Sequence, residues 1–207
     1  MAALSASPGD VKKPYIIRIN GMVGSGKTYL GARIKEKLDG DVLICDIDDY
    51  YKSIFLKYFN KNKIPSNDEL DIEVNSALHK DIEDTRALMV VILSVSTQAG
   101  GHNYFIKFEK NKIKEIYRRF IQREYTKIYK NKSLVEKIIK KTPDVRNINR
   151  NITENLILAP RYEFTDYEHN YNKYLEEMKE RKFFIGTQDE ILKNILNVHS
   201  LLKKYND

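Results

Sequence analysis

A single cysteine, Cys45, stands in 207 residues. No disulfide can form within the chain, and a lone thiol inside an apolar run is expected to be buried and reduced. Long hydrophobic runs are missing too: the longest, ALMVVIL at 87–93, falls far short of a bilayer span. The opening MAALSASPGDVKK has no apolar stretch of the kind a secretory signal carries. The histidines, His79, His102, His169 and His199, are scattered without metal-ligand spacing. Tyrosine is frequent, at 14 residues, yet no aromatic signature of an RNA-binding module accompanies it, and no internal repeat is visible. These absences argue against a disulfide scaffold, a transmembrane protein, a repeat array and a histidine-bound metal site. What remains is a soluble, cytoplasmic globular chain.

Hydrophobic residues make up 42% and charged residues 31%, a globular balance, and the length suits one α/β domain. The net charge of +7 is unevenly spread. Residues 107–150 carry a net +10, whereas the segments before and after carry −1 and −2. A basic block of this kind points to a polyanionic partner, either nucleotide phosphates or nucleic acid.

Strand-like runs alternate with helical ones. PYIIRIN (14–20), DVLICDID (41–48), ALMVVILSVS (87–96), NYFIKFE (103–109) and KFFIG (182–186) are β-rich or apolar and bounded by turn residues, which predicts five strands. Leu30, Ile34 and Leu38 recur at helical spacing after the first strand. Residues 49–86 read as two helices split around Pro65 and Asn67. A long basic helix follows the fourth strand, with Ile113, Ile116, Phe120 and Ile128 near one face. Residues 140–155 read as a loop at the tip of a lid, YEHNYNKYLEEMKER as a helix, and the stretch after Thr187 as a closing helix. Thr187 and Glu190 have the spacing of a capping box. Alternation of this kind predicts a parallel sheet in a three-layer α/β fold.

GMVGSGKT at 21–28 fits G-x-x-x-x-G-K-[ST] and lies between a predicted strand and a predicted helix, the context that the motif requires. Gly21, Gly24, Ser25 and Gly26 supply backbone N–H groups that converge on phosphate oxygens, and the helix N-terminus adds its dipole. Lys27 reaches the β- and γ-phosphates, and the Thr28 hydroxyl is a Mg²⁺ ligand. The expected ligand is ATP with Mg²⁺. The N-K pairs lack the aspartate of the guanine-reading N-K-x-D motif, and the third strand ends LSVSTQAGG without the acidic pair of motor-type ATPases.

At this size the small kinases remain, and several residues carry the resemblance. DDYYK (48–52) is similar to a segment of uridine kinases and nicotinamide riboside kinases, and CDID (45–48) resembles the D-x-D of shikimate-kinase-like enzymes. IYRRFIQRE (116–124) resembles the lid helix of uridine kinases. YNKYLEEMKERKFFIGTQDEILKNIL (171–196) is similar to the helix, short strand and helix that close adenylate-kinase-like domains. The resemblance implies a three-layer P-loop NTPase fold with a five-stranded, mainly parallel sheet ordered 2-3-1-4-5. It implies a single domain over 1–207, with acceptor-binding helices at about 53–86 and a basic helical lid at about 110–160.

It also implies site residues. Asp48 matches the catalytic aspartate of the riboside-kinase pattern and would take the acceptor's proton. Asp46, on the same side of a continuing strand, would hold Mg²⁺ or substrate; alternatively these acids cap the following helix. Arg119 and Arg123, four apart on one helix face, and Arg118, about 100° from Arg119, would stabilise the transferred phosphoryl group. A Glu115–Arg119 surface ion pair competes for one of them. Tyr50, Tyr51, Arg86 and Arg161 are weaker candidates for acceptor or lid contacts. Where uridine-kinase-like enzymes carry an acid near the end of the third strand, this chain has Ser94, Ser96 and Thr97. The partners expected are a nucleotide and a small-molecule acceptor, most simply a nucleoside or nucleoside monophosphate. Two alternatives stand beside this: a kinase acting on 5′-hydroxyl nucleic acid, and a nucleotide-binding regulator without turnover.

Overall fold

The computed structural model describes residues 13–61, 63–94, 102–109, 111–156 and 162–206. Five strands, β1 (Tyr15–Asn20), β2 (Val42–Asp46), β3 (Met89–Ser94), β4 (His102–Ile106) and β5 (Phe184–Gly186), form one sheet. Its order is β2-β3-β1-β4-β5 and every pairing is parallel, as the resemblance implies. β3 is buried along its whole length, as a central strand covered on both faces must be, and this explains its unbroken apolar sequence.

The helices are α1 (Lys27–Leu38), α2 (Ile47–Phe59), α3 (Asn67–Asp84), α4 (Ile113–Tyr129), α5 (Lys132–Lys141), α6 (Ile148–Leu156), α7 (Phe164–Glu180) and α8 (Gln188–Asn206). On one face of the sheet, Leu30, Ile34 and Leu38 of α1 join Ile191, Leu192 and Ile195 of α8 over Ile17, Ile19, Val91 and Leu93. The apolar spacing of α1 thus buries the stripe it predicts. The capping box before α8 is present: Thr187 N donates to Glu190 Oε2 at 2.7 Å and Glu190 N to Thr187 Oγ1 at 3.3 Å. A second one, Ser66 with Glu69, opens α3.

On the other face, Cys45, Val90 and Ile92 pack against Leu78 of α3. Cys45 is 1% exposed, and its Sγ lies 3.5 Å from Tyr50 Oη. Burial pushes its thiol pKa up. Tyr50, Tyr51 and Tyr58 of α2 reach across to Asp81, Asp71 and Glu73 of α3, lacing the two helices together.

The rest of that side is a core built on α4. Tyr117, Phe120, Ile121 and Tyr125 of α4 meet Val135, Ile138 and Ile139 of α5, Ile148 and Ile152 of α6, and Phe164, Tyr167 and Tyr171 of α7. Residues 140–155 are therefore not the loop expected from the sequence. The end of α5, a short 3-10 turn at Val145–Asn147 and α6 occupy them. Val145, Ile148, Ile152 and Leu156, which are buried, recur at helical spacing, and their burial outweighs the turn-forming Thr-Pro and Asn residues between them.

β2 also differs from expectation. It stops at Asp46, and α2 begins at Ile47. Asp46 is the cap: its Oδ1 accepts from Asp48 N at 3.2 Å. Asp48 and Asp49 fall in the first turn of α2, where carboxylates suit the positive end of the helix.

Candidate active site

The loop 21–26 joins β1 to α1 at the carboxyl edge of the sheet. Gly24 and Gly26 hold φ values of +84° and +82°, the left-handed region that favours glycine. Ser25 N closes the turn on Met22 O at 3.0 Å. Gly21 and Ser25 are packed together: a Cβ at Gly21 would fall 2.6 Å from Ser25 Oγ, and that buried hydroxyl has no hydrogen-bond partner among the described residues. Lys27 spans the loop, donating to Gly21 O at 2.7 Å and Met22 O at 3.4 Å. Burial pulls the pKa of its ammonium down, Asp48 and Asp46 pull it back up, and Arg123 adds to the burial effect. Lys27 therefore feels the charge of three other residues singled out in the sequence.

The same residues line a cleft of about 240 Å³ bounded by Val23, Gly24, Gly26, Lys27, Thr28, Asp46, Asp48, Arg119, Phe120 and Arg123. Asp46 and Asp48 reach it although they do not lie on one side of a strand. Asp46 ends β2 and Asp48 sits one residue into α2, so the strand-to-helix turn delivers both carboxylates to one opening. Thr28 Oγ1 donates to Asp46 Oδ2 at 2.9 Å, which ties the first turn of α1 to the cap of α2. A hydroxyl and a carboxylate this close are hard oxygen donors of the kind Mg²⁺ takes alongside substrate phosphates, so the pair fits the ion. Among the described residues no group of three or more His, Cys, Asp or Glu is placed to hold a metal by itself.

The three arginines of α4 part company. Arg119 and Arg123, one turn apart, both face the cleft. Each has a neighbouring carboxylate: Arg119 pairs with Glu115 at 3.0 Å, as its spacing predicts, and Arg123 with Glu124 at 2.9 Å. These exposed pairs hold the guanidinium groups only weakly. Arg118 belongs elsewhere. Its guanidinium donates to Ile139 O at 3.2 Å, Thr142 O at 2.9 Å and Pro143 O at 2.5 Å. It therefore closes the C-terminal end of α5, and unlike Arg119 and Arg123 it does not line the cleft.

A second, larger cleft of about 590 Å³ adjoins the first across the loop. Gly24, Gly26 and Arg119 line both. Its further walls include Tyr29 and Arg33 of α1, Lys107 and Phe108 after β4, Ile116 of α4, and Thr187, Gln188 and Asp189 at the start of α8. Arg33 and Asp189 form a 2.7 Å ion pair across it. None of these wall residues stands out in the sequence as a ligand contact. The one signal was the capping box at Thr187, which marks a helix start, and helix starts after parallel strands open onto the edge where ligands bind.

Of the weaker candidates, Tyr50 and Tyr51 serve the α2–α3 lacing already described. Ser96, Thr97 and Arg161 lie outside the described residues, whereas Ser94 is buried at the end of β3. Among the described residues no helix is long and apolar enough to cross a membrane.

No protein-family model matches the chain. Among solved structures, it is similar to a gluconokinase from Sinorhizobium meliloti 1021, at 17% identity and a TM-score of 0.36, over 54% of this chain and 66% of that one. The chain thus spans just under two thirds of the gluconokinase. It is also similar to a shikimate kinase from Bacteroides thetaiotaomicron, at 15% identity and a TM-score of 0.49, over 90% of this chain and 98% of that one.

Proposed function

We propose that this protein is a kinase that transfers the γ-phosphoryl group of ATP to a hydroxyl or phosphate oxygen of a small acceptor. One observation carries the reading. The phosphate loop, a hydroxyl–carboxylate pair suited to Mg²⁺, a second carboxylate and two arginines converge on a single cleft.

In this reading the nucleoside of ATP occupies the larger cleft, and its phosphates run over Gly24 and Gly26 into the smaller one. The loop N–H groups and Lys27 hold the β- and γ-phosphates. Asp48, at the far side, accepts the acceptor's hydroxyl proton as that oxygen attacks the γ-phosphorus and the bond to the β–γ bridging oxygen breaks. Arg119 and Arg123 meet the charge on the transferred group, where it is worth most because water is excluded. Thr28 and Asp46 would hold Mg²⁺, which when bound neutralises phosphate charge. Movement of the α4 region over the phosphates would complete the enclosure.

For the acceptor we assign a nucleoside or nucleoside monophosphate. Two features support this choice: the likeness of DDYYK to nucleoside kinases, and the aromatic wall that Phe120 adds to the smaller cleft. A second reading, a nucleotide-binding regulator without turnover, has Ser94 in its favour, because a hydroxyl ends β3 where a charged metal partner would otherwise sit.

The test is transfer from labelled ATP with Mg²⁺ to a panel of nucleosides, nucleoside monophosphates, sugar acids and 5′-hydroxyl oligonucleotides, with Asp48→Asn in parallel. Transfer to one class, reduced about 10²–10⁴-fold in Asp48→Asn while ATP still binds, supports the kinase and names its acceptor. ATP binding with no transfer to any acceptor moves the assignment to the regulator.

A further inference from the structure

The phosphate loop is gripped from outside by two side chains that arrive from the far end of the sequence. Tyr167 Oη, on α7, donates to Val23 O at 2.6 Å. Gln188 Nε2, at the start of α8, donates to Ser25 O at 2.7 Å. These two carbonyls belong to alternate peptides of the loop, and each is one half of a peptide whose N–H half belongs to a glycine, Gly24 or Gly26.

That pairing has a geometric consequence. A peptide unit is planar, and when it is trans its C=O and N–H point in opposite directions; no peptide among the described residues is cis. Holding Val23 O toward α7 therefore turns Gly24 N–H away from α7. Holding Ser25 O toward α8 turns Gly26 N–H away from α8. The left-handed φ at both glycines is what lets alternate N–H groups turn toward a common anion. No described acceptor takes either N–H. A donor on the carbonyl also polarises the peptide and makes its N–H a better donor in turn.

The grip is specific in its sterics. A Cβ on Gly26 would lie 2.3 Å from Gln188 Nε2, and one on Gly24 would lie 3.6 Å from Tyr167 Oη. Gln188 reaches the loop because position 26 carries no side chain. Tyr167 is fixed by its surroundings, stacked on Phe120 at 5.5 Å and Phe108 at 6.5 Å between ring centroids.

We propose that Tyr167 and Gln188 are positioning residues for the phosphate cradle, each holding one loop peptide by its carbonyl so that Gly24 N–H and Gly26 N–H are aimed at the anion before it binds. The inference rests on the reading of this loop as a triphosphate site. It makes α7 and α8, which supply no residue to the motif, part of the machinery that shapes it.

The experiment is calorimetric titration of Mg²⁺-tripolyphosphate and of Mg²⁺-ATP into the wild type, Tyr167→Phe, Gln188→Ala and, as a control, Tyr117→Phe. Tyr117 lies in the same aromatic core and donates to Tyr162 O at 2.7 Å, so the control loses an equivalent hydroxyl bond away from the loop. Each clamp variant is expected to weaken both ligands about tenfold, with the control unchanged. The amide resonance of Gly24 should move in Tyr167→Phe, and that of Gly26 in Gln188→Ala. Should Tyr167→Phe fold poorly, Gln188→Ala, at a part-exposed helix start, carries the same test. Wild type that binds neither ligand overturns the triphosphate-site reading and the clamp with it. Wild type that binds while both variants match the control overturns the clamp alone. Loss of ATP without loss of tripolyphosphate in Gln188→Ala assigns Gln188 to the nucleoside end and removes it from the clamp.

Discussion

Replacing Arg118 by methionine separates the structural arginine of α4 from its neighbours. Methionine keeps an unbranched stem and a similar helix preference, so the change removes the guanidinium and little else. Three carbonyl oxygens lose a charged donor: Ile139 at 3.2 Å, Thr142 at 2.9 Å and Pro143 at 2.5 Å. The last turn of a helix has no internal donors for its carbonyls, and a cation there also suits the helix dipole. Pro143 is exposed, so water replaces the lost partner; Thr142 is buried, so the oxygens around it are harder to resolvate. With about 1.5–3 kcal/mol for each hydrogen bond to a charged group, and one to two such bonds not recovered, the loss is about 3 kcal/mol. For a chain of this size that lowers Tm by roughly 6–12 °C. Arg119→Met removes only an exposed pair with Glu115 and should shift Tm by no more than about 2 °C. Differential scanning calorimetry gives the first quantity, and ATP titration with a transfer assay the second. The expected pattern is crossed: Arg118→Met melts early and binds ATP normally, whereas Arg119→Met melts normally and loses transfer. An Arg118 variant that melts with wild type and loses transfer would refute the assignment of the two faces of α4.

Three further outcomes follow from the geometry. Asp46→Asn should raise the Mg²⁺ concentration needed for half-maximal transfer about tenfold or more, read from a metal titration, with a smaller loss of stability because asparagine still caps α2. Gly31→Ala should destabilise by about 1–2 kcal/mol in denaturant titration, because its Cβ would lie 2.8 Å from Leu93 Cδ1 and 3.2 Å from Ile44 Cγ2. Overpacking there exceeds the gain in helix preference. Asp41 is bonded by Lys203 at 2.6 Å and His199 at 3.0 Å, with the Lys203 hydrogen bond the main cause of its lowered pKa. A carboxylate whose folded pKa is lowered contributes stability that is present above its ordinary value of 3.8 and is lost as pH falls through the folded value. Asp41→Asn should therefore cost up to about 1 kcal/mol at pH 7, a difference that closes in acid below the ordinary carboxylate range; thermal melts from pH 7 down to pH 2 would follow it.

How much of this is legible in the sequence depends on whether the signal is local. The five strands, their order and the phosphate loop are, because alternation and the glycine spacing are local and the resemblance supplies the order. Asp48 stands out by its likeness to the riboside-kinase pattern, whereas the strand alternation that placed Asp46 beside it fails: both reach the cleft through a helix start at Ile47, where an aspartate cap outweighs continuation of the strand. Arg118 and Arg119 are adjacent in sequence and indistinguishable by composition. Only the position of α5, set by packing of Val135, Ile138 and Ile139, decides which of them serves structure. Tyr167 and Gln188 were invisible because the loop carbonyls they hold lie more than 140 residues away in sequence.

The lone thiol gives the molecule a built-in clock. Cys45 sits one residue before Asp46, beneath Tyr50, on the sheet face that α3 covers. A thiol reagent reaches Sγ only when the cover of α2 and α3 over this face of the sheet opens, so its reaction rate counts those openings and no other thiol in the chain contributes to the signal. Asp46 and Asp48 lie at the start of that same cover. Labelling with and without ATP and acceptor would therefore show whether ligands still the ground on which the two carboxylates stand, in an unmodified protein, with no probe to install.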